Sequence, residues 1–171
     1  MHQSIFTIPS VTDAQLIERE RAVLHDMKWQ KFLSRSRLFQ YVPFVDFVFA
    51  AGSMAMGTVR QDSDFDVLVG VRHGRIFTAR FFAVELFGLF GWRRKKLSHD
   101  ISARDKICLN HLVTEKAYRL TPPYNSYWQK LYVSLVPIVG TREAVLKFWQ
   151  ANAPWMGGMP DYRDDLRHKY R

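Results

Sequence analysis

An α/β fold is predicted by three observations on the sequence. Three short runs rich in Val, Ile, Leu and Phe have the length of strands, from Val45 to Ala51, from Asp64 to Val69 and from Ile107 to Val113. Longer stretches whose apolar residues recur at helical spacing lie before, between and after these runs. Of the 171 residues, 47% are hydrophobic and 15% aromatic, which is enough for one core. The chain therefore predicts strands and helices combined in one compact domain.

The first strand ends in a turn that is suited to phosphate oxygens. Gly52 follows the run, and because glycine has no side chain the backbone there can come close to a ligand. Ser53 adds a hydroxyl where a short helix, Met54 to Gly57, is predicted to begin. Gly52 and Ser53 are therefore candidate phosphate-binding residues. The alternative is an ordinary turn, since a Gly-Ser pair by itself is common in turns.

Asp64 and Asp66 lie one residue apart in the second strand and therefore share one of its sides. Phe65, Val67 and Val69 alternate with them and predict a buried side. Neighbouring carboxylates repel each other unless solvent, a basic partner or a cation offsets their charge. Carboxylate oxygens beside a phosphate site favour Mg²⁺, or Mn²⁺ in its place. The pair predicts a metal site for phosphoryl or nucleotidyl transfer, and a solvated acidic face is the alternative.

The order of these residues resembles the signature of a known superfamily. Gly52 and Ser53 after an apolar strand, a ten-residue spacer and then Asp64-Phe65-Asp66-Val67 are similar to the signature of the DNA polymerase beta-like nucleotidyltransferases. The wider run, followed by GRIFTARFF and later by DKICLNHLV, resembles a group of small predicted prokaryotic nucleotidyltransferases. This looser similarity extends from about residue 42 to about residue 155.

The resemblance implies a fold, a site and a reaction. The fold would be a short mixed β-sheet that carries the site on one face, with helices packed around it on the other. Gly52 and Ser53 would hold the nucleotide phosphates, and the catalytic Asp64 and Asp66 would bind Mg²⁺ or Mn²⁺. The reaction would move a nucleoside monophosphate from a nucleoside triphosphate to an acceptor, whether a small molecule, RNA or protein, that the sequence does not identify.

The superfamily commonly carries a third acidic residue on a later strand, and this chain departs from that pattern. The strand from Ile107 to Val113 contains no acid, and Asn110, on the same side as Cys108, is the candidate for this position. Asp100 and Asp105 precede the strand and are the alternatives for the missing carboxylate. Without a third acid, the competing function is a non-catalytic nucleotide- or RNA-binding module with a degenerate site.

Two helices are predicted around the first two strands. One runs from Thr12 or Asp13 to about Leu33, and its basic residues between Lys28 and Arg37 predict a solvated face. The other, from Arg75 to about Trp92, is nearly apolar all round, which predicts burial in the core, with contact to a membrane surface or a partner as the alternative. Arg75 and Arg80 in its first turns are candidates for phosphate contacts or for structural ion pairs.

The C-terminal part predicts two further helices and a charged tail. One helix is expected from Tyr124 to Leu135, a turn at Pro137 and Gly140, and a second helix from Thr141 that stops at Pro154. The chain is accordingly divided into an N-terminal helical segment (1–40), a nucleotidyltransferase core (41–120), C-terminal helices (121–155) and a charged tail (156–171) of one compact domain.

The net charge of +9, from 25 Lys and Arg against 16 Asp and Glu, predicts attraction to phosphate-rich partners. A nucleoside triphosphate and a nucleic acid both satisfy it. The basic cluster from Trp92 to Leu97 is the best candidate for a nucleic-acid contact, because its tryptophan could stack on a base. The cluster also suits the negative end of a helix dipole, which is the alternative role.

A cytoplasmic location is expected from the N-terminal sequence and from the cysteine content. The first residues lack the charged start and apolar core of a secretory signal. The single cysteine, Cys108, cannot form an internal disulfide, and its apolar strand predicts a buried thiol. No apolar stretch reaches the ~20 residues of a transmembrane helix.

Overall fold

A four-stranded mixed β-sheet lies at the centre of the molecule. The computed structural model describes residues 13–95 and 103–160. The strands are β1 (Val45–Ala50), β2 (Phe65–Val71), β3 (Ile107–Thr114) and β4 (Val136–Gly140), in the order β3-β2-β1-β4. Strand β1 pairs antiparallel with β2 and β4, whereas β2 pairs parallel with β3. The predicted α/β fold class with a short mixed sheet is confirmed.

Helices cover both faces of this sheet. In the described residues they are α1 (Asp13–Ser36), α2 (Gly52–Met56), α3 (Ile76–Leu89), α4 (Ser126–Val133) and α5 (Arg142–Met156). Side chains of α1, α2 and α3 form one core with the sheet, and side chains of α4 and α5 form a second core. The expectation that helices lie only opposite the site is therefore wrong.

Strand β2 is buried on both of its sides beyond Asp66. Phe65, Val67 and Val69 enter the first core, which confirms the predicted buried side. Leu68 lies on the side of Asp66 and is buried in the second core. Only the start of this strand, on the side of Asp66, is therefore left for a polar site.

The fourth strand and the end of α5 differ from the prediction. Pro137 and Gly140 belong to β4 instead of a turn. Proline is tolerated there because β4 lies at the edge of the sheet and pairs with a strand on one side only, among the described residues. Helix α5 continues past Pro154 to Met156 and ends at Gly157, whose φ of 83° is left-handed. The helix begins after Thr141 as predicted, and the Thr141 side chain caps it by accepting a hydrogen bond from the Ala144 N–H.

Helix α3 is buried on one side only, so the prediction of all-round core packing is wrong. Ala79, Ala83 and Phe87 are buried against the sheet. Phe77 and Leu89 are 85% and 82% exposed. The small alanines allow close packing on one side, and no described residue buries the other. No helix of the described residues is long and apolar enough to cross a membrane.

Lys28 of α1 ties together the loops that precede β2 and β3. It is only 4% exposed, contacts the Asp105 carboxylate at 2.7 Å and donates hydrogen bonds to the carbonyl oxygens of Gln61 and Ser63. Arg35 donates to the Asp105 carbonyl oxygen. The prediction of a solvated basic face is therefore wrong for Lys28. Its buried ammonium instead fixes the loop that leads to Asp64.

Candidate metal and nucleotide site

The turn after β1 lies directly against Asp66. The Ala51 N–H donates to the Asp66 carbonyl oxygen at 3.0 Å, which closes the pairing of β1 with β2. Gly52 has a φ of +59°, and a Cβ at this position would lie 2.2 Å from Asp66 Oδ2. Only glycine satisfies both conditions. The Gly-Ser turn and the acidic pair, separated by ten residues in the sequence, are thus in contact in the fold.

Ser53 lies half-buried in the first turn of the short helix that follows Gly52. The helix begins at Gly52 instead of the predicted Met54. Its buried residues Met54 and Ala55 anchor it in the first core, and the left-handed Gly57 ends it. The position of Ser53, next in the chain to the Gly52 that contacts Asp66, is therefore fixed by packing.

Asp64, Asp66 and Cys108 form the candidate metal-binding cluster of the described residues. One possible ligand atom from each lies within 4.8 Å of the other two. The sheet pairing explains this, because Cys108 of β3 is the partner of Asp66 across the parallel ladder. Two carboxylates and one thiol can thus converge on a divalent cation. Asp64 and Asp66 are half-buried, whereas Cys108 is buried.

Asn110 contacts this cluster through Cys108. The pairing of β2 with β3 is irregular between Asp66 and Leu68, so that Leu68 pairs with His111 and the register shifts by one residue. Asn110 is exposed, and its side-chain amide donates to Cys108 Sγ at 2.9 Å. The position next to Asp66 on the third strand is therefore occupied by Cys108.

Arg94 is a site residue that the sequence identified only as part of a basic cluster. Its guanidinium Nη1 lies 2.6 Å from Asp64 Oδ2. The backbone around it runs beside β3, because Ile107 N–H donates to Trp92 O and Arg94 N–H donates to Ile107 O. The ion pair raises the pKa of Arg94. A basic partner for the acidic pair, one of the three possibilities considered above, is thus present.

The surroundings of Asp66 and Cys108 favour the uncharged, protonated forms of both side chains. Burial, and then the charge of Asp64, raise the pKa of Asp66, while a hydrogen bond with Cys108 partly opposes the shift. Burial and the neighbouring Asp66 raise the pKa of the Cys108 thiol to about 11. At neutral pH this thiol is protonated. A bound divalent cation would reverse the effect, because metal ligation favours the thiolate.

Of the two arginines predicted near phosphates, only Arg80 lies beside the site. Arg75 stacks over the Phe44 ring at 5.2 Å. Arg80 donates from Nη1 to the Leu109 carbonyl oxygen at 3.0 Å. It lines a cavity of about 210 Å³ together with Arg93, Arg94, Lys95 and Asn110, with Val84 and Leu109 as its apolar part. We call this the basic cavity.

Asp105, one alternative for the third acid, is committed to other partners. Its carboxylate contacts Lys28 at 2.7 Å and Lys31 at 2.6 Å. Burial acts to raise the pKa of Asp105, but the hydrogen bonds from the two lysines outweigh it, so that the pKa is lowered. Asp105 is not part of the candidate metal cluster in the described residues. Asp100 lies outside the described residues.

Trp92, proposed above as a stacking ring for a base, already has two partners in the fold. Its ring stacks on Phe90 at 5.0 Å between centroids, and the Arg35 guanidinium lies 5.2 Å from its centre. The end of the basic cluster, residues 96 and 97, lies outside the described residues. Trp92 therefore contributes to packing in this structure.

Comparisons with known proteins add little. No protein-family model and no curated protein matches the chain. A solved structure described as a crystal structure of a toxin-antitoxin with AMP-PNP is similar at 16% identity and a TM-score of 0.40. The match covers 71% of this chain and 82% of that chain. A likeness at this TM-score carries no argument about function. Function is therefore inferred from the geometry of the site.

Proposed function

We propose that this chain is a metal-dependent nucleotidyltransferase, which moves a nucleoside monophosphate from a nucleoside triphosphate to an acceptor. The observation that carries the proposal is the contact between Gly52 and Asp66. A Cβ on Gly52 would meet the Asp66 carboxylate at 2.2 Å, so a bare backbone turn adjoins a carboxylate pair. This is the arrangement that the resemblance of the motif to DNA polymerase beta-like nucleotidyltransferases leads us to expect.

The residues of the cluster fit a divalent cation. Asp64 and Asp66 supply the oxygen donors that Mg²⁺ and Mn²⁺ prefer, and the ligand atoms of both lie within 4.8 Å of Cys108. When bound, such a cation would neutralise charge on the phosphates and orient the triphosphate for in-line displacement. Gly52 and Ser53 would hold the phosphates on the side of Asp66 that lies away from Cys108.

Two features of the cluster predict slow turnover. Without a cation the Cys108 thiol is uncharged at neutral pH, because its pKa is raised to about 11, and a thiolate that ligates a cation is not free to act as a base for an acceptor hydroxyl. The Arg94 guanidinium also lies 2.6 Å from Asp64 Oδ2 and must move away before both oxygens of that carboxylate can bind a cation.

The competition between Arg94 and a cation for Asp64 also has a consequence for binding. Because the cation alone must displace Arg94, we expect it to bind more weakly alone than together with the nucleotide.

A non-catalytic nucleotide-binding module is the second candidate, and Cys108 favours it. The cluster in the described residues has two carboxylates instead of three. A site of this kind could bind a nucleotide with one cation and lack the second cation or base that transfer requires. The two candidates share the same binding residues and differ in turnover.

The two candidates can be separated with one set of proteins. Thermal melting with and without a nucleoside triphosphate and Mg²⁺ measures binding, because a ligand of the native state raises the melting temperature. Pyrophosphate release with Mg²⁺ or Mn²⁺ measures turnover. The double variant Asp64→Asn/Asp66→Asn is compared with Asp62→Asn, an exposed aspartate outside the cluster.

A metal-dependent rise in melting temperature that the double variant loses and the control keeps supports the site. Pyrophosphate release with the same dependence supports the transferase. Stabilisation without release favours the binding module. An equal response in the wild type and the double variant contradicts both candidates.

A further inference from the structure

The basic cavity concentrates positive charge next to the acidic pair. Four cations, Arg80, Arg93, Arg94 and Lys95, line it with the Asn110 amide, and no acidic residue of the described chain is part of its lining. Four like charges around one small cavity repel one another, so an anion that enters it relieves the repulsion. Guanidinium groups present planar forks of N–H donors that match phosphate oxygens. The chemistry of the lining therefore suits a phosphate group.

The cavity and the Gly-Ser turn lie on opposite sides of the acidic pair. Gly52 follows β1, and Asn110 belongs to β3, while the sheet order β3-β2-β1-β4 places β2 between those two strands. Asp66 on β2 contacts Gly52 on one side and pairs with Cys108 on the other. Two separate phosphate-binding surfaces thus flank the carboxylates.

The size of the cavity fits part of a substrate better than a whole nucleotide. Its volume is about 210 Å³. Pockets for drug-sized ligands begin at about 300 Å³. A phosphate with the start of its ester group matches the smaller volume. The triphosphate has its own surface at Gly52 and Ser53 in the function proposed above, which leaves the basic cavity for a second molecule.

Arg94 connects the cavity to the reacting end of the site. Its guanidinium lines the cavity and lies 2.6 Å from Asp64 Oδ2. A phosphate in the cavity competes with Asp64 for this guanidinium. An anion there would therefore free the carboxylate for a cation, and the cation would in turn free Arg94 for the anion, because linkage between two sites is reciprocal.

We propose that the basic cavity binds a phosphate group of the acceptor substrate. This assignment rests on the proposed nucleotidyltransferase function, in which Gly52 and Ser53 serve the donor. The phosphate could belong to a phosphodiester of a single-stranded polynucleotide or to a small phosphomonoester. The chemistry of the cavity is the same for both, so both are used as probes.

The test measures the binding of two probes in metal-free buffer, in which the donor site cannot bind a nucleotide together with a cation. One probe is a fluorescein-labelled single-stranded oligonucleotide, followed by anisotropy, and the other is ribose 5-phosphate, followed by calorimetry. The cavity variant is Arg93→Gln/Lys95→Gln, which spares Arg80 and Arg94 and their contacts with Leu109 and Asp64. The matched control is Arg119→Gln/Lys130→Gln, which removes two exposed cations outside the cavity.

The proposal predicts that the cavity variant binds one of the probes about tenfold more weakly, since charge-assisted hydrogen bonds are lost. The control should change the affinity less than about twofold, because cations far from the bound phosphate act weakly in salt. For the oligonucleotide, the salt dependence of log K should also fall by about 0.7 for each lost phosphate contact. If the cavity variant binds the oligonucleotide more weakly, the acceptor group is a phosphodiester. If it binds only ribose 5-phosphate more weakly, the acceptor group is a phosphomonoester.

Three results would overturn the proposal. They are no binding of either probe by the wild type, an equal effect of the two double variants, and weakened binding of Mn²⁺ with nucleoside triphosphate while both probes bind normally. The last result would assign the cavity to the donor. Failure of this proposal can be distinguished from failure of the proposed function, because the binding of the probes to the wild type and the cavity variant is measured without metal, whereas the metal response is measured separately with Asp64→Asn/Asp66→Asn.

Discussion

At the scale of single residues, the candidate site depends on Gly52, because a Cβ at this position would meet the Asp66 carboxylate. Asp64, Asp66, Gly52 and Ser53 could be predicted from the sequence, because their order within one motif is local information. Arg94 could not be identified in this way. It is 30 residues from Asp64 in the chain, and its contact depends on where the segment beside β3 runs.

Replacing Gly52 by alanine is expected to remove nucleotide binding as well as some stability. The left-handed φ of +59° costs a residue with a Cβ about 1–2 kcal/mol, and the Cβ would also meet Asp66 Oδ2 at 2.2 Å. Gly57→Ala is the matched control, since Gly57 has a φ of +71° and a Cβ there would meet no atom of the described residues within 4 Å. Urea unfolding should show that the left-handed φ lowers the free energy of unfolding by a comparable amount in both variants. Only Gly52→Ala should lose the metal-dependent rise in melting temperature, and an equal loss in Gly57→Ala would contradict the role given to Gly52.

Replacing Arg94 by glutamine should strengthen the binding of Mn²⁺ alone. The guanidinium competes with a cation for Asp64, and partly exposed ion pairs of this kind are worth up to about 1 kcal/mol. The affinity for Mn²⁺ should therefore rise up to about fivefold in a calorimetric titration. Arg93→Gln removes the same charge from the same cavity without a contact to Asp64 and serves as the control. If both variants bind Mn²⁺ with equal affinity, the ion pair does not restrain the site.

At the scale of elements, α1 positions the site from the opposite face of the sheet. Lys28 holds the loop before β2 through the Gln61 and Ser63 carbonyls and the loop before β3 through Asp105. The Asp105 N–H also donates to the Ser63 carbonyl oxygen at 3.1 Å. These contacts fix where the two parallel strands begin, and therefore where Asp64 and Cys108 meet.

Replacing Lys28 by methionine should destabilise the protein by about 3 kcal/mol, because it leaves a buried carboxylate short of one partner. Lys31→Met is the control, since the Lys31 side chain is 48% exposed although it contacts the same carboxylate at 2.6 Å. Loss of the Lys31 contact should lower the free energy of unfolding by less than about 1 kcal/mol. Urea unfolding measures both. Equal costs would show that burial of Lys28 is not what makes its contact important.

The elements differ in how far the sequence could predict them. Strands β1, β2 and β3 consist mainly of apolar residues, so their existence followed from composition. Strand β4 contains Pro137 and ends at Gly140, which are residues typical of turns, and its pairing with β1 is a long-range contact that local patterns do not contain. The position of Cys108 next to Asp66 depends on a register shift between β2 and β3, which alternation along one strand does not predict.

At the scale of the whole molecule, charge is separated across the sheet around one candidate site. Asp66 lies on β2 and Asp64 directly before it, the basic cavity borders β3, and the turn at Gly52 follows β1. The net charge of +9 indicated a phosphate-rich partner but gave no location for it. The basic cavity, which we propose as this location, became visible only in three dimensions, because Arg80 and Arg94 come from different segments.

The central claim, that Asp64 and Asp66 bind a divalent cation together with a nucleoside triphosphate, is tested most directly by electron paramagnetic resonance of Mn²⁺. Bound Mn²⁺ loses its free-ion signal, so a titration counts sites in the wild type, in Asp64→Asn/Asp66→Asn and in Asp62→Asn. We expect the wild type and Asp62→Asn to bind Mn²⁺ more tightly in the presence of the triphosphate, and the double variant to bind none beyond what the triphosphate binds alone. Equal binding of Mn²⁺ by the double variant and the wild type would contradict the account.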